Sequence, residues 1–283
     1  MGTIFAVANQ KGGVGKTTTV INISAYLGSR GFKVLCVDSD PQGNTTTGFG
    51  IKKKSVSSST YDVLTGKTRI QDAVVETECE NVSIVPATEA LAGAEIELAN
   101  NDNRVNRLKM QLLTIKDQYD YIFIDCPPAL GTITINSLVA CDKVFVPMIA
   151  EFYALEGLSQ LVNTVKIVKN NYNPALEIGG ILFTMFDGRL NVANDVVTEV
   201  EKYFPNKVFK TKIPRNVRIS EAPSHGKPVM YYDKSSKGSV AYEMVCHEML
   251  GEPLELSPKK RRCIFNFKKN KEKNCSSKYS GKE

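Results

Sequence analysis

The chain has 283 residues, of which 42% are hydrophobic and 23% are charged, a balance that fits a globular protein and excludes a disordered one. Its formal net charge of +6 is unevenly distributed. Residues 257–283 contain ten Lys and Arg and two Asp and Glu, a net of +8, which leaves 26 basic and 28 acidic residues in 1–256. We therefore expect one folded domain over 1–256, followed by a basic, disordered tail over 257–283.

The sequence also argues against membrane-spanning, secreted and metal-cluster proteins. No apolar run approaches the roughly 20 residues that a membrane-spanning helix needs. The first residues lack the basic segment and cleavage site of a secretory signal. The seven cysteines are scattered, with no Cys-x-x-Cys pair, which indicates reduced thiols rather than a metal or iron–sulfur site. We expect a cytoplasmic protein.

Short β-rich runs alternate with helical patterns along the chain. Runs such as 34–37 and 121–124 are apolar throughout, as expected for strands covered on both faces of a parallel sheet. Apolar residues at helical spacing form one stripe over 91–112 and another over 158–168. The alternation predicts an α/β fold, a doubly wound, mostly parallel sheet with helices on both faces. The predicted strands are 4–8, 33–38, 82–86, 121–125, 143–147 and 177–184, with 207–211 as a further candidate.

The first predicted strand leads into a glycine-rich segment that indicates a phosphate-binding loop. Residues 9–19 read NQKGGVGKTTT, and a helix is predicted to follow. A glycine-rich turn between strand and helix can direct backbone N–H groups at phosphates, beside the positive end of the helix. Lys16 would reach the β- and γ-phosphates, and the Thr17 hydroxyl would join a Mg²⁺ shell. The usual motif has glycine where this chain has Gln10, and Lys11 is an additional lysine; the alternative is a glycine-rich turn with solvated lysines.

The segment K-G-G-x-G-K-T-T resembles the deviant Walker A motif of the ParA/MinD group of ATPases. The resemblance implies the P-loop NTPase fold, with ATP and Mg²⁺ as cofactors. It also implies that Lys11 reaches across a homodimer interface to the partner's nucleotide, so that two ATP molecules lie between two subunits. The nucleotide-binding residues that it implies in this segment are Lys11, Gly12, Gly13, Val14, Gly15, Lys16, Thr17 and Thr18.

Acidic residues follow two of the predicted strands. Asp40 matches the family's switch I aspartate, which positions or activates the attacking water, although Asp-Pro and Gly43 are also typical of an Asx turn. Asp38 is interpreted as a strand-end residue near the metal shell. Asp125 ends the run Y-I-F-I-D, the form of a Walker B strand, and would hold Mg²⁺; an ordinary buried strand end is the alternative. The catalytic residues are thus predicted to be Lys11, Lys16 and Asp40, and the metal-site residues Thr17, Asp40 and Asp125.

A C-terminal segment separates the ParA branch from its relatives. Residues 213–228 closely resemble chromosomal ParA (Soj) proteins, as do 38–44 and 183–187, and the resemblance covers about residues 3–250. It implies ATP-bound homodimers that bind double-stranded DNA without sequence preference, on the nucleoid. It further implies a ParB-type centromere-binding partner that stimulates a slow hydrolysis, and a role in segregating a chromosome or plasmid. Pro214 and Asn216 would border the adenine.

The same region carries a local excess of basic residues. Residues 203–240 contain eight Lys and Arg and two acidic residues, a net of +6. Phosphate contacts from such a surface give affinity without base reading and a steep salt dependence. A solvated basic face is the alternative. The predicted DNA-binding residues are Arg189, Arg215, Arg218 and Lys227.

Two other functions stay open. One is a MinD-like, membrane-cycling ATPase that positions other proteins, and the other is a regulatory nucleotide switch that binds a protein target and never uses DNA. The tail could tether DNA, contact an anionic membrane or be solvated without a function. Its three large apolar residues, Ile264, Phe265 and Phe267, offer too little apolar surface for a stable anchor, so a membrane partner is not expected.

Overall fold

The computed structural model describes residues 2–99 and 103–253. The strands in this part of the chain are β1 (Thr3–Val7), β2 (Val34–Asp38), β3 (Val75–Glu76), β4 (Val82–Val85), β5 (Tyr121–Asp125), β6 (Lys143–Ile149) and β7 (Glu177–Thr184). They form one sheet in the order β3-β4-β2-β5-β1-β6-β7. Each pair of neighbours is parallel except β3 and β4, which are antiparallel. The structure thus confirms the predicted mostly parallel sheet.

Helices cover both faces of this sheet. Within the described residues they are α1 (Lys16–Ser29), α2 (Asn44–Gly48), α3 (Thr60–Thr65), α4 (Ile70–Ala73), α5 (Leu91–Leu98), α6 (Arg107–Leu113), α7 (Thr132–Ala140), α8 (Ala154–Asn171), α9 (Asn191–Tyr203), α10 (Val217–Glu221), α11 (Val229–Tyr232) and α12 (Lys237–Met249). Short 3₁₀ turns lie at Lys53–Ser55, Lys116–Gln118 and Ala222–His225. None of these helices is long and apolar enough to cross a membrane.

The core consists of two apolar layers, one on each face of the sheet. Successive side chains of a strand point to opposite faces, and β5 shows the consequence. Ile122 and Ile124 lie in the layer under α5 to α9, whereas Phe123 lies in the layer under α1 and α12. Its ring stacks on that of Phe5 in β1, with centroids 5.4 Å apart. A strand buried on both faces needs apolar residues at every position, which explains the continuous apolar runs.

Two predictions about secondary structure were wrong. The apolar stripe over 91–112 is divided between α5 and α6 rather than lying on one helix, and residues 100–102 between them lie outside the described part. Residues 207–211 form only a single bridge, between Val208 and Ile181, instead of a strand. The reason is that the Glu248 carboxylate accepts hydrogen bonds from the next amides, Lys210 N at 2.6 Å and Thr211 N at 3.1 Å. Those amides are therefore not free to extend the ladder.

The structure also describes one strand that the sequence did not predict and five of the seven cysteines. The two-residue strand β3 carries too few residues for a recognisable pattern, and the sequence did not predict it. The cysteines at 36, 79, 126, 141 and 246 are buried and free, as expected for small apolar residues of the core. The basic tail over 257–283, which includes Cys263 and Cys275, lies outside the described residues.

The parallel topology gathers the predicted site at one edge of the sheet. Val7 and Asp125 are paired in register on β1 and β5, and Asp38 and Asp125 are paired on β2 and β5. The segments that follow these strands therefore meet at their carboxyl ends, where open α/β sheets bind ligands.

Candidate active site

The glycine-rich loop between β1 and α1 is held in place by its neighbours in the sheet. Gly13 and Gly15 have φ values of +72° and +86°, in the left-handed region that favours glycine. Asn9 Nδ2 donates a hydrogen bond to the carbonyl oxygen of Pro147 in β6, at 2.8 Å. The Thr184 hydroxyl, at the end of β7, donates to the Val14 carbonyl oxygen at 2.7 Å. The loop conformation is thus fixed by contacts to both strands.

Lys16 lies inside this loop. Its side chain is almost fully buried, and Nζ donates hydrogen bonds to the carbonyl oxygens of Asn9, at 3.1 Å, and Lys11, at 3.4 Å. Burial lowers the pKa of Lys16, while the nearby carboxylates of Asp125 and Asp40 act in the opposite direction. A buried ammonium group enclosed by carbonyl oxygens beside a helix N-terminus is suited to contact a phosphate.

The Asp125 carboxylate joins two helices to the sheet. Its Oδ2 atom accepts hydrogen bonds from the Thr17 hydroxyl at 2.7 Å and from the Thr45 hydroxyl at 2.6 Å. Burial raises the pKa of Asp125. Its Oδ1 atom is buried and has no hydrogen-bond partner in residues 2–99 and 103–253, a costly arrangement for a carboxylate. An acceptor oxygen left over beside a threonine hydroxyl fits a Mg²⁺ ion held with its waters, so the residues present match this metal.

Asp38, at the end of β2, is hydrogen-bonded to α2. It accepts hydrogen bonds from the Thr46 backbone N–H at 2.8 Å and from the Thr46 hydroxyl at 2.7 Å, as well as from the Asp40 N–H at 3.2 Å. Burial, and then the charge of Asp125, raise the pKa of Asp38. These bonds attach α2 to the sheet, and Asp38 lies at the end of β2 in register with Asp125, so its interpretation as a strand-end residue near the metal shell stays a prediction.

Asp40 uses one of its two carboxylate oxygens in the Asx turn that the sequence allowed. Its Oδ1 atom accepts a hydrogen bond from the Gln42 N–H at 2.9 Å, so the Asx turn is present. In the described part of the chain no group donates a hydrogen bond to Oδ2. Asp40 is 9% exposed, at the rim of the same crevice as Lys16 and Asp125. One carboxylate oxygen thus shapes the turn, and the other can accept a proton or a hydrogen bond from water.

Thr45 and Thr46 were missed as site residues by sequence reasoning. Both are fully buried, and both hydroxyls contact strand-end carboxylates. The only sequence signal was a run of three threonines at the start of a helix just after Asp40. Threonine is unfavourable in a helix unless its hydroxyl has a specific partner, and that contrast could have drawn attention to the run.

Lys11 lies on the surface next to the loop rather than inside it. Its ammonium group forms an ion pair with Glu151, in the segment after β6, and its side chain remains 42% exposed. The next two residues, Phe152 and Tyr153, are 74% and 75% exposed and have their rings at right angles to each other. The surface around Lys11 therefore combines an accessible charge pair with two exposed aromatic rings.

A cavity of about 460 Å³ opens beside the loop. Gly15 and Thr18 line its loop side, and Pro214 and Asn216 line the opposite wall. The two residues predicted to border the adenine thus face the same space as the predicted phosphate-binding segment. The Tyr242 ring also lines the cavity, and adds an apolar surface that suits a planar base.

The four predicted DNA-binding residues are exposed at the surface, but two are paired with carboxylates. Arg189 forms a two-pronged ion pair with Asp187, with its shortest distance 2.6 Å, and holds the pKa of Asp187 at about 2. Arg218 pairs with Glu221 at 2.9 Å and with Asp233 at 3.4 Å. Both acidic residues of the 203–240 region therefore neutralise Arg218. The remaining basic residues of the predicted set, Arg215 and Lys227, are exposed.

The basic region over 203–240 contacts α1 and the segment just after α2. The Asn22 side chain, in α1, accepts a hydrogen bond from Val229 N at 2.7 Å and donates one to the Thr18 carbonyl oxygen at 2.8 Å. Gly50, just after α2, contacts Gly226 backbone to backbone. A Cβ atom on Gly226 would lie 2.6 Å from the Cα atom of Gly50, which requires glycine here.

Comparison with known proteins identifies relatives over nearly the whole chain. A family model described as an AAA domain matches residues 2–178. The sporulation initiation inhibitor protein Soj of Bacillus subtilis is 54% identical over 242 residues, which are 86% of this chain and 96% of that protein. The chromosome partitioning protein ParA of Myxococcus xanthus is 49% identical over 261 residues, 92% of each chain.

Two solved structures with the same fold contain ADP and magnesium. The crystal structure of cobyrinic acid a,c-diamide synthase from Mycobacterium smegmatis with bound ADP and magnesium matches with a TM-score of 0.78 and 36% identity, over 88% of this chain and 94% of that one. The septum site-determining protein MinD from Pyrococcus horikoshii, complexed with Mg-ADP, matches with a TM-score of 0.72 and 28% identity, over 88% and 96%. These likenesses confirm the predicted P-loop NTPase fold. Together with the Soj and ParA relatives, they show that the chain belongs to the Soj/ParA family of chromosome-partitioning proteins.

Proposed function

We propose that this chain is a ParA-type ATPase that binds ATP with Mg²⁺, dimerises around the nucleotide and binds double-stranded DNA without sequence preference. A ParB-type centromere-binding partner stimulates its otherwise slow hydrolysis, and the cycle segregates a chromosome or plasmid on the nucleoid. The observation that carries this proposal is the arrangement of the Asp125 carboxylate beside the buried Lys16. One of its oxygens accepts a hydrogen bond from the Thr17 hydroxyl, and the other is buried without a partner among the described residues.

The side chains of the site divide the work of phosphoryl transfer. Lys16 and the backbone N–H groups of the loop bind the phosphate oxygens, and the Asp40 Oδ2 atom orients a water molecule for attack on the γ-phosphorus. The water supplies the oxygen of the new P–O bond, the bond to the leaving ADP oxygen breaks, and the products are ADP and phosphate. Thr17 and Asp125 would hold Mg²⁺, which neutralises charge on the phosphate oxygens when it is bound.

The position of Lys11 supports a dimer with shared sites. Its ammonium group lies outside its own loop and forms an ion pair with Glu151. The side chains of Lys11 and Glu151 are 42% and 47% exposed. Such surface pairs contribute about 0–1 kcal/mol, so a phosphate group of a partner's nucleotide can displace Glu151 at little cost. The proposed slow turnover of one chain alone follows from the missing second lysine, which the partner supplies.

The four predicted DNA-binding cations support a nonspecific, salt-sensitive contact. Arg215 and Lys227 are exposed, and the pairs that Arg189 and Arg218 form with carboxylates are also exposed. Exchange of a carboxylate for a DNA phosphate keeps each arginine paired. Because each neutralised phosphate releases counterions, affinity should fall steeply with salt concentration.

Binding to DNA and to anionic liposomes, each with ATP and with ADP, tests this proposal. The full chain should bind unrelated duplexes with ATP but not with ADP, and a chain ending at Leu256 should bind them with affinity weakened at most moderately. A result in which both chains bind liposomes and not DNA would instead favour the MinD-like positioning ATPase. If the chain without the tail no longer binds DNA at all, the assignment of the interface is refuted. The residues of that interface are Arg189, Arg215, Arg218 and Lys227.

A further inference from the structure

The hydroxyl group of Thr45 occupies an unusual place for a residue outside the recognised motifs. Thr45 is fully buried in α2, and its Oγ1 atom lies 2.6 Å from Asp125 Oδ2. The Thr17 hydroxyl donates to the same oxygen at 2.7 Å. Rotation of the Asp125 carboxylate would break both hydrogen bonds. The two threonines therefore fix which oxygen stays unpartnered and where it points.

Thr45 also belongs to the attachment of α2 to the sheet. The next residue, Thr46, is bound to Asp38 through its N–H and its hydroxyl, and the hydroxyl accepts the Ala87 N–H at 2.9 Å. Asp38 and Asp125 are paired in register at the ends of adjacent strands. Two consecutive threonines thus join α2 to two neighbouring strand ends.

The short length of α2 makes these bonds important. A helix of five residues forms too few internal hydrogen bonds to be stable by itself. Its N-cap, Gly43, has a φ value of +57°, and Gly43 N donates to the Asp40 carbonyl oxygen at 2.8 Å. Asp40 therefore leads directly into α2, and its position depends on how firmly α2 is held.

From this geometry we infer that Thr45 is a positioning residue for the reaction. It orients the Asp125 carboxylate towards Mg²⁺ and, through α2, keeps Asp40 at a fixed distance from that carboxylate. The inference rests on the proposed ATPase function. Thr46 is attached to Asp38 and Ala87 instead, and Thr47 donates its hydroxyl to the Gly43 carbonyl oxygen of its own helix.

Thr45→Val tests the inference because valine keeps the shape and removes the hydroxyl. The first measurement is the affinity of a fluorescent ADP analogue as Mg²⁺ is titrated. Hydrogen bonds to charged groups correspond to about tenfold or more in an equilibrium constant. We expect the half-maximal Mg²⁺ concentration to rise about tenfold in Thr45→Val, with binding in EDTA unchanged. The second measurement is ATP turnover, in which kcat should fall by a similar factor with little change in KM.

Matched variants separate positioning from a general loss of structure. Thr45→Ser should restore the Mg²⁺ requirement to within about threefold of the native value because it retains the hydroxyl. Thr47→Val, in the same helix, should resemble the native chain. If Thr45→Val does not fold, Thr45→Ala and the serine variant give the same comparison.

Three results would overturn the inference: a native Mg²⁺ requirement in Thr45→Val, failure of serine to rescue it, or an equal loss of ADP binding in EDTA. A native chain that binds no nucleotide would refute the proposed function itself. That outcome is distinguishable because it appears before any variant is compared.

Discussion

Replacement of Asp125 by asparagine should change how the stability of the metal-free chain depends on pH. Burial raises the pKa of Asp125 from its ordinary value of 3.8 to about 6, so the folded chain holds this proton more tightly than the unfolded chain. Below pH 3.8 both states are protonated and the carboxyl group causes no pH-dependent loss. As the pH rises through the folded value, the charge must be kept in the interior, and stability is lost.

The size of this loss follows from the pKa difference. About two pKa units correspond to about 3 kcal/mol in the free energy of unfolding, and about half of that is lost between pH 5 and pH 8. For a domain of this size, a loss of about 1–2 kcal/mol corresponds to a change of several degrees in melting temperature. The asparagine side chain does not titrate. The substitution also removes the negative charge of Asp125 from beside Asp38. Because that charge raises the pKa of Asp38, its removal further reduces the loss of stability at high pH.

The assay is thermal unfolding in EDTA at pH 5 and pH 8. The melting temperature of Asp125→Asn relative to the native chain should increase by several degrees from the lower to the higher pH. A buried amide N–H without a partner could destabilise the variant, but by the same amount at both pH values. Asp195→Asn, an exposed substitution on α9, is the control and should give no such change. A relative melting temperature that is constant, or that decreases towards pH 8, would refute the reasoning.

Three further predictions concern the proposed cycle. Lys11→Ala should stay monomeric with ATP in analytical ultracentrifugation, whereas Lys67→Ala, which removes another exposed paired lysine, should dimerise; a fully dimeric Lys11→Ala would exclude the shared site. Asp40→Ala should bind ATP and persist as a dimer because no carboxylate orients the water, and normal phosphate release would contradict its assigned role. Arg218→Glu should lose binding to unrelated duplexes in an anisotropy assay at moderate salt, since it adds negative charge beside two carboxylates. Arg30→Glu is the control: it breaks the surface pair with Glu252 at the C-terminal end of α1, away from the phosphate-binding loop, and should bind DNA normally.

The sequence predicted those parts of the site that depend on local chemistry. The loop glycines and Lys16 follow β1, and Asp125 ends β5, so the predicted parallel strands were enough to place these residues at one edge of the sheet. The hydrogen bonds of Asp38 and Thr45 could not be predicted in the same way. The partner of Thr45 is Asp125, which lies 80 residues further along the chain at the end of β5. A single hydroxyl group leaves no periodic pattern in the sequence.

Charge counting also reached a limit at the predicted DNA interface. The local net charge of +6 counted Arg218 as available, but Asp233, 15 positions further along the chain, lies 3.4 Å from it. Spacing arguments also failed over 91–112, because α5 and α6 are separate helices whose buried residues happen to continue the same spacing. The first error comes from a contact between positions separated in the chain, and the second from an interruption between two helices that the spacing does not reveal.

The contact between Gly50 and Gly226 has a mechanical consequence. Two backbones in direct contact leave no side chain that could rotate to absorb a displacement. α2 ends just before Gly50, and the segment beyond Gly226 carries Lys227 and is joined to α1 through Asn22. A shift of α1 or α2 would therefore move the segment that carries the exposed Lys227. In the proposed DNA complex, the position of Lys227 relative to the phosphates, which repeat about every 3.4 Å of helix axis on each strand, would then depend on contacts in the interior of the protein.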